Sequence, residues 1–121
     1  MKPKTLLQAF REFLSDNTRS RQHHRIEKAT RKMAEHIADA EFERTMANFY
    51  TERVISIDPH VGPAEAWDFA AAKQKQYDHQ NDCISYEQKA EAARAEVAAH
   101  IAKLHRLQQS TALPGAELNQ Q

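Results

Sequence analysis

The sequence predicts an all-α protein, either a small helical bundle or an antiparallel helical hairpin, with one short N-terminal helix and two long helices. Only two glycines and four prolines occur among 121 residues, so few positions favour a turn. Apolar residues recur at helical spacing in three separate segments. Hydrophobic residues make up 40% and charged residues 28% of the chain, which is a globular rather than a disordered composition.

The first element is a short amphipathic helix predicted over residues 4–14. Its start is favoured by Pro3, and its end by the turn-like residues 15–18. The apolar face of this helix requires a partner. Its members are Leu6, Leu7, Phe10, Phe13 and Leu14.

The second helix is predicted from about Thr18 to Arg53, and its apolar face changes near Ala40. Either the helix kinks or breaks there, or it is continuous and its two halves bury against different neighbours. The continuous alternative favours an oligomer. One side carries Ile26, Met33, Ile37 and Ala40, and the nearly opposite side carries Phe42, Met46 and Phe49.

A loop is predicted over Val54 to Gly62, because Pro59 cannot continue a helix comfortably. Pro63 then stands at a favoured first helical position, with Glu65 in the first turn. The third helix is expected to run to about Gln108. The polar run at residues 78–82 leaves open whether this helix is continuous.

A helix-pairing interface is predicted near the end of the third helix, where small and apolar residues recur three and four positions apart. This heptad-like spacing over two to three heptads is typical of a coiled coil. The predicted interface residues are Ala90, Ala93, Val97, Ile101 and Leu104.

The domain organisation is predicted to be one helical domain over residues 1–109 and a flexible C-terminal tail over residues 110–121. The length suits a single core, and the tail shows no helical periodicity.

Basic residues are concentrated in the first 32 positions, which carry six net positive charges, while the rest of the chain carries six net negative charges. An anionic partner or nucleic acid could bind there, and a helix-turn-helix arrangement fits the turn at residues 15–18. A solvated helix face is the simpler alternative and is favoured. The candidate contact residues are Arg19, Arg21, Gln22, Arg25, Lys28, Arg31 and Lys32.

Catalytic, cofactor and metal sites are not expected. Seven histidines occur, and the pairs His23/Glu27, His79/Cys83 and Glu96/His100 each have the i, i+4 spacing of metal ligands. The repeated Glu-x-x-His or His-x-x-x-His elements of metal-binding bundles are absent. The single cysteine is the candidate nucleophile, without an identifiable base and orienting group, and no glycine-rich phosphate loop is present.

We therefore expect a non-catalytic helical interaction module, such as an adaptor, assembly factor or inhibitor, which binds a protein partner and self-associates, a dimer being favoured. The alternative is a small nucleic-acid-binding regulator that uses the basic residues 19–32. No membrane-spanning run is expected, and the single cysteine fits a reducing, cytoplasmic location.

Overall fold

The computed structural model describes residues 5–110, which form two long helices, α1 (Leu6–Ser56) and α2 (Pro63–Ser110). Within each of two compact units, segments of the two helices pack against each other, and the described residues contain no strand. The prediction of an all-α protein with two long helices is therefore confirmed.

Helix α1 begins with a capping box at Thr5. The backbone N–H of Gln8 donates to the Thr5 hydroxyl at 3.2 Å, and the Thr5 N–H donates to the Gln8 side chain at 3.1 Å. These two bonds satisfy amide groups that lack a partner in the first turn of any helix.

The separate short helix over residues 4–14 is not found, because α1 continues unbroken through the expected turn at residues 15–18. The Thr18 hydroxyl donates to the Leu14 carbonyl at 2.8 Å, so it bonds within the helix instead of competing with it. Asp16 and Arg19 form an ion pair at 3.8 Å along the same helix. The helix-turn-helix arrangement therefore has no basis in this structure.

The connection between the helices is shorter than predicted, since α1 continues to Ser56. The Asp58 side chain accepts a hydrogen bond from the His60 backbone at 2.9 Å, which closes the turn that contains Pro59. The predicted start at Pro63 is correct: the Gly62 carbonyl accepts the first helical bond, from Ala66, at 3.0 Å. Helix α2 is continuous through residues 78–82.

Two compact units make up the chain, and the one called unit 2 is Lys32–Ala93. Cross-helix contacts join Glu43 to His79 and Thr51 to Gln76, so the helix segments run antiparallel within this unit. Its buried and half-buried positions recur three and four residues apart, as in a coiled coil. This unit-2 seam contains Met33, His36, Ala40, Glu43, Ala47, Tyr50 and Val54 from α1, with Phe69, Ala72, Gln76, His79, Cys83, Tyr86, Ala90 and Ala93 from α2.

Unit 1 comprises Met1–Arg31 and Arg94–Gln121. Polar side chains lie among the inter-helix positions of this unit as well: Gln22, which is only 1% exposed, lies in the same layer as His100. Of the predicted pairing residues in this unit, Leu104 is buried and Val97 half-buried, whereas Ile101 is 51% exposed. The predicted tail lies outside the described residues except for Ser110, the last residue of α2.

Candidate functional site

Three of the predicted basic contact residues form an exposed stripe in unit 1. Arg21, Arg25 and Lys28 are separated by four and then three positions, which places them within about 60° of one another around α1. We call these three residues the basic stripe. Their charges face solvent on one side of the helix.

Three of the other predicted contact residues, Arg19, Gln22 and Arg31, do not join this stripe. Gln22 is buried between the helices, and Arg19 is half-buried beside Asp16. Arg31 forms an ion pair with Glu27 at 3.5 Å. Lys32 is exposed on α1 and belongs to unit 2.

An apolar stripe precedes the basic residues on α1. Its five members span about 120° of the helix surface, on the side opposite the inter-helix positions of unit 1. Each is exposed, so the predicted apolar face exists without a covering partner in the described structure. We call Leu6, Leu7, Phe10, Phe13 and Leu14 the N-terminal apolar stripe.

A second exposed stripe lies on α1 within unit 2. Phe42 and Phe49 are 60% and 54% exposed, seven residues apart, with the half-buried Met46 between them. Asp39 and Arg53 are exposed on the same side, at the two ends of this set. We call these five residues the α1 stripe.

A polar cluster crosses the two helices of unit 2. The Nδ1 atom of His79 lies 2.5 Å from Oε2 of Glu43, which accepts the hydrogen bond. Asp82 adds a carboxylate, and one ligand atom from each of the three residues lies within 4.8 Å of the other two. The His79 ring stacks on Tyr50, with 5.5 Å between centroids and an interplanar angle of 6°. Sequence spacing indicates that His79 and Asp82 share a helix face, but it contains no signal for Glu43.

A second polar group in unit 2 connects Arg44, Glu87 and Cys83. Arg44 donates to Glu87, and the Cys83 thiol donates to the same carboxylate at 3.4 Å. Burial, and then the hydrogen bond with Glu87, raises the pKa of Cys83. The bonds from Cys83 and Arg44 lower the pKa of Glu87, and the bond to Glu87 raises the pKa of Arg44. A thiol held in its protonated form is a poor nucleophile.

The predicted i, i+4 pairs behave differently from one another. His100 and Glu96 lie 3.6 Å apart, so this pair is formed. Glu27 instead pairs with Arg31, and the Cys83 thiol bonds to Glu87 rather than to His79.

Within residues 5–110, neither helix contains a stretch that is both long enough and apolar enough to cross a membrane. Comparisons with protein-family models, curated proteins and solved structures gave no match to this chain.

Proposed function

We propose that this chain is a non-catalytic helical interaction module that pairs with a second copy of itself and binds a protein partner. The observation that carries the proposal is the distribution of apolar residues. The buried positions of the described structure hold mainly alanine, whereas most of the described phenylalanine and leucine side chains are exposed, and Trp67 is 77% exposed. Exposed apolar stripes of this kind are typical of protein interaction surfaces.

The α1 stripe is self-complementary, which supports pairing with a second copy. If two copies of α1 run antiparallel about Met46, Phe42 of each copy lies beside Phe49 of the other. The same arrangement brings Asp39 of each copy next to Arg53 of the other, because these positions are equally spaced about the centre. A two-fold interface requires this reciprocity. The stripe extends about 21 Å along the helix, so we expect micromolar affinity.

Charge exchange tests this arrangement directly. Asp39→Arg and Arg53→Asp should each weaken dimerisation about tenfold in sedimentation equilibrium, because each places like charges opposite each other twice per dimer. Combining both substitutions should restore the affinity. Phe42→Glu should give a monomer with unchanged helicity, whereas Ile84→Glu, on exposed α2 surface, is the matched control and should leave the dimer intact.

A monomeric wild-type protein at high micromolar concentration would refute self-association. A dimer that survives Phe42→Glu and both single charge reversals would refute this interface in particular.

The N-terminal apolar stripe is the surface that we propose for a heterologous partner. The basic stripe follows it on α1 within unit 1, so the fitting partner is a protein with an apolar groove flanked by carboxylates. A protein bound by wild type and Phe42→Glu but released by Phe10→Glu would support this assignment. The assignment fails if captured proteins are unaffected by Phe10→Glu.

The alternative function, nucleic-acid binding, is favoured by one observation, the exposure of Arg21, Arg25 and Lys28 on one side of α1. If these residues bind phosphates, replacing all three with glutamine should abolish nucleic-acid affinity, and the wild-type affinity should fall steeply with salt. We expect no sequence-specific binding. A tight, sequence-selective complex lost in the triple variant would reverse this ranking.

A further inference from the structure

The cluster of Glu43, His79 and Asp82 brings three metal-ligand groups together from two helices of unit 2. One ligand atom from each residue lies within 4.8 Å of the other two. We propose that these three side chains bind one divalent transition-metal ion, with Zn²⁺ as the probe. This inference is independent of the proposed dimer and partner surfaces.

The chemistry of the three groups favours a transition metal over Mg²⁺ or Ca²⁺. An imidazole suits Zn²⁺ and its neighbours, whereas Mg²⁺ and Ca²⁺ prefer all-oxygen sites. Two carboxylates balance the charge of a divalent ion. Three protein ligands leave at least one coordination position for water, as in open zinc sites.

The distances require only a small rearrangement. With bonds of 2.0–2.1 Å and tetrahedral angles, ligand atoms are separated by about 3.3 Å. The Glu43 and His79 atoms, now 2.5 Å apart, would therefore separate by less than about 1 Å. Asp82 is exposed, so its side chain can turn towards the ion and leaves a route of entry from solvent.

The surrounding structure orients two of the ligands before any ion binds. The stacked ring of Tyr50 fixes the plane of the His79 imidazole. The Glu43 side chain is only 14% exposed and is already directed at His79 across the helix pair. Reduced freedom of the ligands lowers the entropic cost of binding.

The other histidine pairs provide fewer ligands. Glu96 and His100 form a pair at 3.6 Å, and no third ligand group joins them among the described residues. The carboxylate of Glu27 is engaged by Arg31. A specific site and weak binding by scattered histidines can therefore be separated by substitution.

The test is calorimetric titration of the chelator-treated full chain with Zn²⁺, supported by the visible absorption of bound Co²⁺. Wild type should bind one ion tightly, and Asp82→Asn should weaken that event about tenfold or more, as loss of a ligand requires. Glu43→Gln and His79→Gln should weaken it similarly. Because the ion would join α1 to α2, Zn²⁺ should also raise the urea midpoint of wild type but not of Asp82→Asn.

Matched controls are Asp68→Asn and His105→Gln, which remove an exposed carboxylate and an exposed imidazole elsewhere. Both should bind Zn²⁺ as wild type does. Asp82 is exposed, so its variant should fold normally even if a substitution at His79 disturbs the helix pair. Equal Zn²⁺ affinity in wild type and Asp82→Asn, or binding lost only in His105→Gln, would overturn the proposal.

Discussion

Replacing Gln22 with leucine should destabilise the protein, because its amide is the most deeply buried polar side chain among the described residues. The Gln22 Nε2 group donates to the His100 backbone carbonyl at 3.2 Å and lies 2.7 Å from His100 Nδ1. A carbonyl can only accept, so the nitrogen of the amide must face His100, and Nδ1 must accept as well. The His100 proton is therefore on Nε2, on the side of Glu96.

The expected size of the effect follows from these two bonds. Each hydrogen bond contributes about 1 kcal/mol net, and an acceptor left without a partner costs about 1–3 kcal/mol. The His100 side chain is partly exposed, so water can satisfy some of the loss. We expect Gln22→Leu to lower the unfolding free energy by about 2 kcal/mol. His100→Leu should cost a similar amount, since it leaves the buried amide with one bond.

The double variant distinguishes a specific bond from general packing. Replacing both partners with apolar groups is often nearly neutral, so the combined substitution should cost less than the two single changes together. The coupling energy should be about 1–2 kcal/mol. The assay is urea unfolding followed by circular dichroism at one protein concentration, because self-association would make the midpoint concentration-dependent.

A matched control is available in the exposed pair Gln109 and His105, whose side-chain nitrogens lie 3.3 Å apart. Gln109→Leu should change stability by less than about 0.5 kcal/mol. A neutral Gln22→Leu, or a coupling energy close to zero, would show that the buried amide does not bond to His100.

Three further predictions concern unit 2. The pKa of Glu87 is lowered, so the carboxylate stabilises the folded protein at pH values above its ordinary pKa of 4.5. This stabilisation is lost as the pH falls through the lower pKa of the folded state. The difference in urea midpoint between wild type and Glu87→Gln should therefore disappear in acid. The pKa of Cys83 is raised, so a thiol reagent at about pH 8 should react at least about tenfold more slowly with the native protein than with the urea-unfolded protein. Equal reaction rates would contradict a buried thiol. His36 has a buried Nδ1 atom without a hydrogen-bond partner among the described residues. His36→Leu should therefore raise the unfolding free energy by about 1 kcal/mol. A lower unfolding free energy in this variant would show that the stacking of His36 on Tyr86 matters more.

Local signals in the sequence determined the helices and part of their boundaries. Scarce glycine and proline predicted two long helices, and Pro63 marked the start of α2 correctly. The two apolar faces predicted around Ala40 differ in burial along the unbroken helix α1: Ala40 is buried in unit 2, while Phe42 is exposed. The prediction of a turn at residues 15–18 was wrong, because residues that favour turns, such as Thr18, can also form hydrogen bonds within a helix.

Only the tertiary structure decided which face of each helix is buried and which polar residues meet. Hydrophobicity alone favours phenylalanine inside, yet closely packed helices select small residues, and the described structure buries Ala47 and Ala72 while Phe49 is exposed. Glu43 and His79 are 36 residues apart, so no spacing rule within one helix can connect them. Their contact depends on how α1 and α2 are aligned along each other, which is set by the length of the connecting turn and by the packing of the whole of unit 2.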